Sequence, residues 1–144
     1  MSLDCVIDAS VGVKLFLVEP LSEQADALFA HAAEDPSAQL CAPDLFFVEC
    51  ASILWKYVRW HGYPVENAYK DIADLLRLPL HAASVQELVS EAMALAIAHR
   101  ITAYDALYVA LSRQLALPLV TADELLVRRL EGSLLDVRWL GQWP

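Results

Sequence analysis

The sequence predicts an α/β protein: a three-layer α/β/α sandwich with a parallel sheet of about five strands. Three observations point there. Short apolar runs rich in β-formers alternate with longer stretches of helical periodicity, the pattern of a parallel sheet covered on both faces. Hydrophobic residues make up 58% of the chain, enough for a core and too many for a disordered segment. The length of 144 residues fits one domain spanning 1–144.

The elements follow in order. Strand 1 covers about residues 3–7, "LDCVI", and ends on Asp8. A short helix over "SVGVKLFL" comes next, with Ser10 as its N-cap and Pro20 as its stop. "LSEQADALFAHAAE" is an amphipathic helix and "AQLCAP" is strand 2. Asp44 caps a long helix, "LFFVECASILWKYVRWHG", closed by Gly62. "PVENAYKDIADLLRL" is another helix and "PLHAA" is strand 3. Ser84 and Glu87 form a capping box that opens a helix running to about Arg100. Thr102 caps "AYDALYVALSRQLAL", "PLVTA" is strand 4, "DELLVRRLEG" is a helix and "DVRWL" is strand 5.

Ten Lys and Arg stand against 19 Asp and Glu, for a net charge of −9, the wrong sign for gripping nucleic acid by charge alone. The C-terminal third is richer in Arg (Arg100, Arg113, Arg128, Arg129, Arg138) and is the better place for an anionic partner. Cys5, Cys41 and Cys50 lie in apolar runs without metal-ligand spacing, which fits small buried hydrophobes in a reducing cytoplasm. No signal peptide or membrane-spanning stretch is evident.

In open parallel sheets, ligands bind beyond the carboxyl ends of the strands, where the winding reverses. Strand 1 delivers Asp8 to that end and strand 4 delivers Thr121 and Asp123. Taken singly, each acid has a structural role open to it. Asp8 suits a turn, Asp123 suits a helix cap, and Asp105 suits the first turn of the helix that Thr102 caps. Glu49 is harder to explain in that way. It lies inside "DLFFVECASILW", with Phe46 and Ile53 on its own helical face, and a carboxylate among such neighbours needs a counter-charge. Several carboxylates at one place repel and require neutralisation, and hard oxygen donors suit Mg²⁺ or Mn²⁺. Phosphodiester hydrolysis is the chemistry that follows from such a centre. The histidines are scattered without ligand spacing, and Tyr104 and Tyr108 read as packing residues.

With these residues in view, the chain resembles the PIN-domain family, and most closely its VapC-type toxin ribonucleases. The matching stretches are "VIDASV", "FVECASIL", "TAYDALYVALS" and "LVTAD", in the family's order and spacing across nearly the whole chain. The resemblance implies strand order 3-2-1-4-5 and Mg²⁺- or Mn²⁺-dependent endoribonuclease activity. Asp8, Glu49, Asp105 and Asp123 fall on the family's acidic quartet of metal and catalytic positions. Ser10 and Thr121 fall on its small polar positions beside the metal. RNA as substrate, a homodimer and a neutralising antitoxin are the implied partners.

Two other functions compete. A phosphatase of the haloacid-dehalogenase kind requires D-x-D after strand 1, and here Ser10 stands in place of the second Asp. A non-catalytic PIN-fold interaction module has no use for four mutually repelling carboxylates.

Overall fold

The computed structural model describes residues 3–144. Five short strands form one sheet: β1 (Cys5–Ile7), β2 (Leu40–Pro43), β3 (His81–Ala83), β4 (Leu119–Thr121) and β5 (Val137–Trp139). Their order is β3-β2-β1-β4-β5 and every pairing is parallel, as the resemblance implies. The helices are α1 (Ala9–Gly12), α2 (Ser22–Glu34), α3 (Leu45–Trp60), α4 (Val65–Leu75), α5 (Val85–His99), α6 (Ala103–Leu115) and α7 (Glu124–Leu130). Parallel connections cross over right-handedly, so α1–α4 cover one face while α5–α7 cover the other. The winding reverses between β1 and β4, which opens the crevice at their carboxyl ends.

The core explains the alternation in the sequence. Cys5, Val6 and Ile7 are wholly buried, as strands covered on both faces require. Helix α6 presents an almost unbroken buried run from Ala106 to Ser112 because it lies across the centre of the sheet beneath α5. Tyr108 and Phe46 are the largest fully buried side chains. Gly12 makes this packing possible on the other face. A Cβ there would stand 2.5 Å from Cζ of Phe46, so only glycine lets α1 lie this close to α3. The helix carrying Glu49 is thereby drawn against the helix that follows Asp8.

Several local expectations need correction. The first helix spans Ala9–Gly12 and continues only as a 3-10 turn over Val13–Leu15, and Asp8, not Ser10, stands at its N-cap. The hydroxyl of Ser10 is drawn to the side chains around Asp8 instead. The Ser84–Glu87 capping box does not form with side chains. Asp44 serves that end: its Oδ1 accepts the Val85 amide of α5 at 3.1 Å and makes no side-chain cap on its own helix α3. A carboxylate can bond any amide brought near it, and the β2–β3 pairing brings the start of α5 to Asp44. Each strand is two residues shorter than its apolar run. Thr102 and Asp123 cap α6 and α7 as expected.

Candidate active site

The parallel register sets Ile7 beside Val120, so Asp8 emerges next to Thr121. Each oxygen of the Asp8 carboxylate receives a hydroxyl. Ser10 Oγ donates to Oδ1 and Thr121 Oγ1 donates to Oδ2, both at 2.5 Å. Those hydroxyl oxygens in turn accept the backbone amides of Ala122 and Asp123, each at 3.0 Å. Four groups therefore stitch the end of β1 to the end of β4 and hold the Asp8 carboxylate in one orientation.

The three further acids that the sequence singles out lie on or at the start of three helices. Asp123 starts α7, and its Oδ1 accepts the amides of Leu125 and Leu126 at 3.0 and 3.3 Å. Asp105 lies in the first turn of α6, where Thr102 Oγ1 accepts its backbone amide. Glu49 lies in α3, and its Oε1 accepts the Tyr108 hydroxyl at 2.5 Å. Tyr108 thus does more than the packing role the sequence suggested: its ring fills the core and its hydroxyl orients Glu49. The i+3 step from Asp105 to Tyr108 on one helix was the signal available in the sequence.

Electrostatics join the four. Burial pushes the Asp8 carboxyl up to about 6 and outweighs the Ser10 and Thr121 hydroxyls that favour its charged form; the Asp105 charge adds to the rise. Burial also raises Glu49, with Asp105 contributing, although the Tyr108 hydroxyl works the other way. Asp105 is itself raised by burial and then by Asp123, while Arg129 on α7 opposes the shift. Asp105 is therefore the common neighbour in whose field the other three acids lie. Among the described residues, no ion pair reaches any of the four.

The donor chemistry fits a hard divalent cation: carboxylate oxygens only, that of Asp8 buried, and, among the described residues, no protein cation in an ion pair with them, although the Arg129 charge acts on Asp105. Among the described residues no three His, Cys, Asp or Glu side chains stand at direct-ligand spacing. Mg²⁺ keeps several waters and needs only one or two direct carboxylates, so this looser arrangement remains a fitting one. Ser10 and Thr121 act on Asp8 rather than standing apart as separate polar positions. The remaining arginines take other roles: Arg128 lies 3.6 Å from Glu124, and Arg113 lies 3.7 Å from Glu91.

Residues 5–130 match the PIN domain family. The chain belongs to that family. Ribonuclease VapC3 of Pyrobaculum aerophilum is 34% identical over 126 residues, covering 86% of this chain and 92% of the relative. Among solved structures, PAE2754 of Pyrobaculum aerophilum superposes with a TM-score of 0.68 at 22% identity, covering 98% of this PIN-domain chain and 93% of the other. A toxin–antitoxin complex from Klebsiella pneumoniae gives 0.63 at 16% identity, covering 94% and 96%. VapC20 of Mycobacterium tuberculosis, described as a toxin cleaving the sarcin-ricin loop, gives 0.62 at 18% identity, covering 83% and 88%. These structural likenesses establish the PIN fold.

Proposed function

We propose that this PIN-domain chain is a Mg²⁺- or Mn²⁺-dependent endoribonuclease, the toxin of a toxin–antitoxin pair. The observation that carries the reading is the buried Asp8 carboxylate, held by Ser10 and Thr121 where the sheet's winding reverses, with the Asp105 charge acting on it and no protein cation paired to it. The ribonuclease and toxin names of its relatives support the substrate class. The toxin–antitoxin complex among its structural neighbours supports a cognate antitoxin as partner. A homodimer and a cytoplasmic location complete the proposal; among the described residues no helix is long and apolar enough to cross a membrane.

Of Asp8, Glu49, Asp105 and Asp123, one or two would hold the metal directly and the others through its waters. When bound, it supplies Lewis acidity toward the phosphodiester and positive charge against which a water loses its proton. The protein's own part is orientation and proton handling. Ser10 and Thr121 prevent Asp8 from turning, and Tyr108 does the same for Glu49. Asp105, raised above the ordinary carboxylate range and partly open to solvent, is placed to take a proton from an attacking water.

The test is incubation of purified protein with structured RNA or with p-nitrophenyl phosphate, in Mg²⁺ and in EDTA. Internal RNA cleavage that EDTA stops, with no release of nitrophenol, is the expected result. Nitrophenol release without RNA cleavage points to a phosphatase, and neither activity points to an interaction module. Growth arrest on expression without an antitoxin tests the toxin role.

A further inference from the structure

The acid cluster accounts for bond cleavage but not for how an acidic protein holds an RNA chain. With a net charge of −9, general attraction to phosphate is absent. The second half of α3 departs from this background. Its sequence from 55 to 60, "WKYVRW", interleaves three aromatics, Trp55, Tyr57 and Trp60, with two cations. Trp55 and Trp60 are 55% and 61% exposed, and their rings meet edge to face with centroids 5.3 Å apart. Lys56 and Arg59 are exposed as well, and among the described residues neither has an ion pair.

Helical phase ties this segment to the candidate active site. Lys56 follows Glu49 by seven residues and Trp60 follows it by eleven, so all three share one face of α3. At a rise of 1.5 Å per residue, Lys56 stands roughly 10 Å beyond Glu49 and Trp60 roughly 16 Å beyond it. Ser52, one turn from Glu49, is exposed on the same side. The face that begins at Glu49 therefore leads past Lys56 to Trp60, whose ring meets that of Trp55 from the flank of the helix.

We propose that the exposed C-terminal half of α3 is a binding platform for a single-stranded stretch of the RNA substrate, with bases stacked on Trp55 and Trp60 and phosphates held by Lys56 and Arg59. The proposal rests on the ribonuclease reading. Stacking on aromatic side chains is open to any unpaired base but not to bases inside a duplex, which selects single strands. Two cations among the aromatics supply phosphate contacts beside the stacking surface. A protein partner would also use Trp and Arg, so the test separates the two occupants.

The experiment measures binding of a fluorescently labelled, unstructured RNA oligonucleotide by anisotropy, in EDTA so that no cleavage occurs, over a range of KCl. Trp55→Ala and Trp60→Ala should each weaken binding about tenfold, within the range seen for single stacked bases. Lys56→Gln and Arg59→Gln should each lower the slope of log affinity against log salt by roughly 0.7, the loss of one single-strand phosphate contact. In Mg²⁺, all four variants should raise KM for RNA and leave kcat near wild type. Wild-type affinity and KM in a Trp55→Ala/Trp60→Ala variant with an unaltered melting curve would overturn the platform. So would a shift from dimer to monomer by light scattering with RNA affinity unchanged, because the face would then bind a second copy. Failure of the ribonuclease reading shows differently: wild-type protein itself would cut no RNA.

Discussion

The two ends of the sheet carry opposite kinds of space. At the amino ends of β4 and β5, a cavity of about 730 Å³ opens between the last turns of α5 and α6 and the loop 132–136. Leu95, Val109, Leu117 and Leu135 line it, and the charges at its rim are paired: Arg113 with Glu91 and Asp136 with Arg138. The carboxyl ends of β1 and β4 carry chemistry of a different kind. Asp8 lies there with its carboxyl raised, Glu49 and Asp105 are raised too, the Asp105 charge acts on both Asp8 and Glu49, and none of the three has an ion-pair partner among the described residues. Volume and chemical potential thus separate in this molecule. The roomy end has satisfied its polar groups, while the crowded end stores repulsion that a cation would relieve.

The sharpest way to break this contrast is to mutate both ends. Asp8→Asn and Asp105→Asn should each cut the RNA cleavage rate a hundredfold or more, as expected when one member of a concerted site is lost. Leu134→Ser, beside the cavity and fully exposed, should leave the rate unchanged. A cavity variant as damaging as Asp8→Asn would place the chemistry at the wrong end.

The next effect is on stability. The Asp8 carboxyl moves from an ordinary 3.8 to about 6 in the folded protein. The metal-free fold therefore binds an extra proton between those values, and its stability falls as pH rises from about 4 to 6. The charge costs roughly 3 kcal/mol once it is fully present above that window. Asp8→Asn cannot titrate there, so its denaturation midpoint in EDTA should lack that part of the decline. Parallel pH profiles for the two proteins would mean that Asp8 carries no strain.

A smaller effect concerns the support beneath the acids. Gly12→Ala forces a Cβ against the buried Phe46 ring, and overpacking of this kind costs about 1–3 kcal/mol. Because α3 must shift to accommodate it, cleavage should fall along with the melting temperature. Loss of stability with full activity would show that α1 and α3 need not be this close for Glu49 to work.

Much of this was legible in the sequence, and the reasons differ by residue. The alternation of elements is carried by hydrophobic periodicity, which survives folding because the core demands it. Glu49 stood out because burial among Phe46, Cys50 and Ile53 needs an explanation whatever the fold. The partners of the acids were less legible. That Ser10 bonds Asp8 rather than capping a helix depends on Thr121 arriving from β4, which is 111 residues away in the chain. That Asp44 serves α5 depends on the β2–β3 pairing in the same way. Gly12 gave no sign at all, since its role exists only against Phe46 of another helix.

The most direct test is thermal unfolding of wild type and Asp8→Asn, each in EDTA and in Mg²⁺ at constant ionic strength. In EDTA, above pH 7, Asp8→Asn should melt at least as high as wild type, because one repelling buried charge is gone. In about 10 mM Mg²⁺, for a site affinity near 1 mM, wild type should gain about 1.4 kcal/mol by linkage. For a chain of this size that is an upward shift of roughly 3–5 °C. The variant, short of a ligand, should shift much less. If Asp8→Asn instead melts well below wild type in EDTA, and Mg²⁺ moves both proteins equally, then Asp8 is a structural cap between β1 and β4, and the four acids are not a metal site.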